Sequence, residues 1–164
     1  MDEPEQPRKI WKFVKYGIVG FTGFVINSVF LELFSHAAFL GLFLGSLKNL
    51  GIVPFLLNQS AWAAGLATEL AIISNFILNN AWTFNNQKAV RGVALFLKFL
   101  QFNAISCGAI VIQFVMVGLG TSFLGHSLLV RQASLATAIV FLVTPYNWLM
   151  YNKIVWKKQD EKTQ

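Results

Sequence analysis

Four stretches of the chain, at 13–35, 61–80, 94–119 and 132–151, are apolar and nearly free of charge. Crossing about 30 Å of hydrocarbon at a helical rise of 1.5 Å per residue takes about 20 residues, and each stretch reaches that length. Four such helices use up most of a 164-residue chain, which predicts an all-α membrane protein of four transmembrane helices. The hydrophobic share of 55% and the charged share of 12% agree. That charged share is about half of what soluble domains carry, too little to solvate a surface around so apolar a core.

Other classes fall on residue counts. A single Cys107 rules out an intramolecular disulfide framework and Cys-rich metal sites, and two histidines leave little for a metal centre. The apolar content excludes disorder. A net charge of +6 would suit nucleic acid, but the basic residues form short clusters beside apolar runs, which membrane orientation explains better. The first apolar stretch, preceded by Arg8, Lys9 and Lys12, resembles a signal peptide in its flanks. It is too long for a typical signal core and has a counterpart later in the chain, so it reads as a span.

Lys and Arg between the spans predict orientation. Eleven of the thirteen lie before the first span, between the second and third, or after the fourth, counting Lys15 and Lys98 just inside spans; only Lys48 and Arg131 lie in the other two connections. The positive-inside rule therefore places both termini in the cytoplasm, in the inner cell membrane, with 1–12 and 157–164 as cytoplasmic tails around a membrane domain at 13–156. Trp11, Trp62, Trp82 and Trp156 fall near span ends, as an interfacial aromatic belt would place them. The connection at 36–60 is itself apolar and predicts an interfacial or re-entrant segment, or extensions of the flanking helices.

The halves resemble each other. FVKYGIVG at 13–20 matches FLKFLQFN at 96–103, offset by 83, and NFILNNAWTF at 75–84 matches NWLMYNKIVW at 147–156, offset by 72. Two two-helix repeats, at about 13–84 and 96–156, would each begin in the cytoplasm, so the copies run parallel and their pseudo-twofold axis follows the membrane normal. The pairs Asn75/Asn147 and Asn80/Asn152 carry the match.

With KFVKYGIVGFTG at 12–23 and the signature NFILNNAWTF, the chain from about Lys12 to Trp156 resembles the GtrA family. That resemblance implies a small integral membrane protein of cell-surface polysaccharide or cell-wall assembly that moves a polyprenyl-phosphate-linked sugar across the membrane. It also implies a membrane glycosyltransferase as partner, since related segments occur fused to such enzymes. The family signature commonly carries Arg after its second Asn, where this chain has Asn80 and Ala81; Lys153 holds the equivalent place in the second repeat.

Of seven acidic residues only Glu32 and Glu69 fall within spans. An ionisable group near the midplane is expensive and should face the bundle interior, which singles out Glu69; Glu32 lies near a span end, where snorkelling would relieve it. Helical spacing puts Glu69, Ile72, Phe76 and Asn80 on one stripe, and Asn103, Ser106, Ile110 and Gln113 on another. Gly20, Gly23 and Asn27 cluster on the first helix, where small residues serve packing. Lys15 and Lys98, paired by the repeat, predict a phosphate site at the cytoplasmic rim, and rim lysines also meet anionic lipids. Asn75, Asn80, Asn147 and Asn152, with Asn103, would meet phosphate or sugar hydroxyls, and Glu69 would hydrogen-bond sugar or carry a proton.

The reading is thus a polyprenyl-phosphate-sugar flippase. Its alternatives are a non-transporting anchor of a glycosyltransferase and a small proton-coupled exporter of cations. No catalytic or metal constellation is present in the sequence, so neither enzymatic activity nor a cofactor is expected, and His36 and His126 read as solvated residues of the non-cytoplasmic connections. Four helices make a thin wall around a lipid-linked sugar, which favours a homodimer.

Overall fold

The computed structural model describes residues 5–83 and 92–150. Its elements are α1 (Glu5–Ser35), α2 (Ala38–Leu47), α3 (Gln59–Leu78), α4 (Val93–Leu124), α5 (Leu128–Ala138) and α6 (Thr144–Met150). A π-helical turn, Asn79–Thr83, continues α3, and another, Ile139–Val143, joins α5 to α6. No strand occurs among the described residues.

Four segments are long and apolar enough to cross a membrane: Gly17–Ser35, Gln59–Trp82, Val93–Leu124 and Leu128–Asn147. Their outward faces carry Phe21 (68% exposed), Leu129 (75%) and Phe123 (82%), surface that needs lipid rather than water around it. The chain is a multi-pass membrane protein. The spans run alternately up and down, so the start of α1, the end of α3, the start of α4 and α6 share one end of the bundle, here the terminal end. Residues 36–58 and 125–127 form the opposite, loop end.

The last two spans meet closer together than hydropathy suggests. Gly125 at φ +90° stops α4 in a conformation that suits only glycine, and two residues later the Ser127 hydroxyl accepts the Val130 N–H to cap α5. Arg131, counted as a loop charge from sequence, therefore sits inside the helix with only 4% of its surface exposed. The 36–60 connection adopts a separate short helix: α2 buries Leu40 and Leu44, one turn apart, and turns Phe39, Leu42 and Phe43 outward. Its 10 residues are too few to span.

Helix α3 is the axis of the bundle, packed along α1 on one side and α4 on the other. Ala61, Ala63, Ala64, Ala67 and Ala71 are all buried, and their small side chains let both neighbours approach closely. Leu31, Val117 and Leu135, each fully buried, fill the core around them. The start of α3 is pinned by Asn58. Its side-chain Oδ1 caps the helix by accepting the Ala61 N–H (3.1 Å), while its Nδ2 reaches the Gly118 carbonyl (3.1 Å), Thr121 Oγ1 (3.0 Å) and Ser122 Oγ (3.0 Å) near the end of α4. Asn58→Ala removes the cap and strands these acceptors, and should destabilise the protein by about 2–4 kcal/mol, measured as thermal or denaturant unfolding in detergent. A loss below about 1 kcal/mol would show that the cap and amide bonds carry little.

The π-turn at Ile139–Val143 lies just before Pro145. Proline has no N–H to give to the carbonyl four residues back, and its ring crowds that carbonyl. The chain widens by one residue instead: the Thr144 N–H bonds the Ile139 carbonyl five residues back, and the Thr144 hydroxyl reaches the same oxygen at 2.8 Å. Beyond it, Tyr146 Oη donates to the Ile105 carbonyl (2.8 Å), tying α6 to α4.

Candidate functional site

A cavity of about 350 Å³ lies between all four spans. Helix α1 contributes Val19, Gly20, Gly23, Phe24 and Asn27; α3 contributes Thr68, Ala71, Ile72 and Asn75, with Asn79 from its π-turn. Phe102, Ser106, Ala109 and Gln113 come from α4, and Ile139, Val143, Thr144 and Asn147 from the last span. The lining includes no charged side chain among the described residues.

Its hydrogen bonding is incomplete in one particular way. Asn27 Nδ2 donates to Gln113 Oε1 at 2.7 Å, and Thr68 Oγ1 lies 2.7 Å from the same oxygen, which closes the cavity toward the loop end. Asn27 Oδ1 then has no partner, nor have Asn75 Oδ1 and Asn79 Oδ1, although all three atoms are buried. Buried amide oxygens left without donors are costly, so three in one cavity mark a place for a ligand or water that donates hydrogen bonds. Gly23 makes the room: a Cβ there would lie 2.5 Å from both Nδ2 and Oδ1 of Asn75.

Of the sequence-predicted residues, Asn75 and Asn147 line this cavity. Glu69 does not; it is half-buried at the α3–α4 contact, where Asn103 Nδ2 donates to its carboxylate. Asn103 is thereby also turned away, while its stripe-mates Ser106 and Gln113 do face in. Asn80, half-buried in the π-turn, is outside the lining, and so is Phe76 of the predicted stripe. Lys15 sits at the terminal end over the ring of Trp82 (5.3 Å to the centroid) and beside that of Trp11 (6.0 Å), a cation–π arrangement. Lys98 is exposed at the start of α4. Asn152 and Lys153 lie outside the described residues. Sequence reasoning missed Thr68 and Asn79, and left Asn27, one turn after Gly23, open between helix packing and a polar role.

The loop end holds a second polar cluster that the sequence did not announce. Arg131 Nε lies 3.1 Å from both carboxylate oxygens of Glu32, and its Nη2 also donates to that carboxylate. Nη1 donates to the His126 carbonyl, and Nη2 lies 3.2 Å from His36 Nε2. Gln132 Nε2 adds a bond to Glu32 (2.9 Å), and the Ser28 hydroxyl donates to Gln132 Oε1 (2.6 Å). Glu32 is therefore paired across to α5 rather than snorkelling, and both histidines have partners: His126 Nδ1 lies 3.2 Å from Ser60 Oγ.

Comparison with known proteins places this architecture. No solved structure matches the chain. Over 108 residues it is 31% identical to a dolichol-phosphate mannosyltransferase of Pyrococcus furiosus, a match covering 66% of this chain and 24% of that protein. The chain thus spans about a quarter of that relative's length. The model of the GtrA/DPMS transmembrane domain matches residues 15–156, nearly the whole bundle. The four spans fall within that match, and the chain belongs to the GtrA/DPMS transmembrane-domain family.

Proposed function

We propose that the protein moves a polyprenyl-phosphate-linked sugar across the cytoplasmic membrane, for glycan assembly at the cell surface, with the sugar passing through the cavity between the spans. The observation that carries this reading is the trio of unpartnered amide oxygens on Asn27, Asn75 and Asn79. Sugar hydroxyls are donors and would satisfy them, whereas a phosphate, which only accepts, would not. The phosphate stays at the terminal end near Lys15 and Lys98, at the depth where a lipid headgroup sits. The family, and a relative named for a transferase that uses a dolichol phosphate, support the lipid class. The cavity also supports the two-repeat reading, because Val19/Phe102, Gly23/Ser106, Ala71/Val143 and Asn75/Asn147 are repeat-related pairs and all eight residues line it.

The test is reconstitution into vesicles with labelled polyprenyl-phosphate sugars, scoring the rate at which they reach the far face. Asn75→Leu removes one acceptor and fills space, and should slow transfer about tenfold or more, the loss of about 1.4 kcal/mol of binding to the crossing state. Glu69→Gln keeps an oxygen for Asn103 and leaves the cavity untouched, so at least a third of the parent rate should remain. A transfer rate lost in Glu69→Gln and kept in Asn75→Leu would move the pathway to the α3–α4 face. No acceleration by the parent protein would favour the second reading, a membrane anchor for a glycosyltransferase, which the enzyme name of the matched relative supports.

A further inference from the structure

At the loop end a larger cavity, about 960 Å³, opens among the α1–α2 turn, the 54–60 segment, the end of α4 and the start of α5. Arg131, His36 and His126 line it, and no carboxylate does among the described residues. Glu32 faces an adjoining groove between α1 and α5 instead, lined by Val29, Leu33 and Leu128, and His36 borders both spaces. The ion pair is thus the wall between them. Four of the five guanidinium N–H donors of Arg131 are committed, to Glu32 twice, to His36 and to the His126 carbonyl, which leaves one on Nη1. The hydroxyl of Ser35, also on the lining, is buried without any partner. This end therefore has the opposite deficit to the cavity between the spans: it holds spare donors, and calls for an acceptor.

We propose that the loop-end cavity is a second binding site, for the phosphate group of a lipid phosphomonoester or phosphodiester. Arg131, His36, His126 and Ser35 hold the phosphate, and the hydrocarbon chain lies along the apolar groove between α1 and α5. The spare guanidinium N–H, the free ring nitrogens of the two imidazoles and the Ser35 hydroxyl match phosphate oxygens, and a buried arginine is already oriented for them by Glu32. The site stands apart from the transport reading, since it binds a lipid phosphate whether or not a sugar crosses.

Binding is measured on the purified full chain in neutral detergent, in a Lys15→Ala/Lys98→Ala background that silences the terminal-end lysines. The probes are polyprenyl monophosphate, inorganic phosphate and the phosphate-free polyprenol. Polyprenyl monophosphate should bind saturably, at least tenfold more tightly than polyprenol. His36→Gln/His126→Gln, which changes two exposed side chains, should weaken it at least tenfold, and each single variant by several-fold. Inorganic phosphate binding as tightly as the lipid and equally sensitive to the histidines supports the phosphate site with free phosphate as its source; binding by the lipid alone supports the site and its groove. Affinity for the lipid unchanged in the double histidine variant, or equal for polyprenol and its phosphate, overturns the proposal.

Discussion

Arg131→Met should cost the protein about 3–5 kcal/mol of stability, because it leaves the half-buried Glu32 carboxylate in the apolar groove between α1 and α5 with no arginine to pair it. Arg131 is 4% exposed and its side chain joins α5 to α1 through Glu32, to the chain's own turn through the His126 carbonyl, and to the α1–α2 corner through His36. Besides it, Gln132 bonds Ser28 and Glu32 across the same helices, and α1 otherwise packs chiefly along α3. The pair itself need not be strongly stabilising, as desolvating both charges offsets most of their attraction. Hence Glu32→Gln/Arg131→Met, which removes both charges and keeps an amide for Gln132, should recover most of the loss. Unfolding in detergent, followed by thermal or denaturant titration, gives both numbers. A single variant within about 1 kcal/mol of the parent, or a double no better than the single, would mean that the pair does not hold these helices together.

Gly23→Ala should cut sugar transfer about tenfold or more while changing stability by no more than the 1–3 kcal/mol usual for adding a methyl to a packed interior. The new Cβ would lie 2.5 Å from the Asn75 amide. The side chain that can yield is Asn75, which rotates away and withdraws its acceptor from the cavity. Coupling distinguishes this from simple crowding. If the methyl acts through Asn75, then Gly23→Ala/Asn75→Ala transfers no more slowly than Asn75→Ala alone; additive losses would show that the glycine matters for another reason. The vesicle assay that tests transport supplies all four rates.

Both predictions concern residues the sequence displayed but did not rank, and the reasons are geometric. The four spans were legible because hydrocarbon thickness fixes their length and the charges flank them. The rotation of each helix was less so. On α3 the cavity face is Thr68, Ile72, Asn75 and Asn79, whereas the stripe drawn from sequence, Glu69–Ile72–Phe76–Asn80, is set about one residue, some 100°, around the helix. The sequence stripe took the carboxylate as its anchor; Glu69 bonds one amide from α4, and the cavity face holds no charge among the described residues. On α4 the stripe was nearly right, with Ser106 and Gln113 inward and Asn103 about 60° off, enough to turn it to Glu69. The loop-end cluster was invisible for a different reason. Glu32 and Arg131 are 99 residues apart, and nothing local says that they meet.

The π-turn before Pro145 gives the last span an unusual tolerance of length. Its buried residues are Arg131, Leu135, Ala138 and Val143, with a step of five from Ala138 to Val143 across the π-turn, and Ile139, Thr144 and Asn147 flank them on the cavity lining. Shortening that stretch by one residue, with the proline replaced by a residue that has an N–H, would let an ordinary α-turn form and return Asn147 to the same wall. Restoring the α-turn without shortening would instead swing everything after it by about 100° and carry Asn147 off the cavity. Chains of this architecture that lack the proline can therefore be one residue shorter after Ala138 and present the same inner surface, whereas the same gap in α3 would re-phase the wall of the cavity.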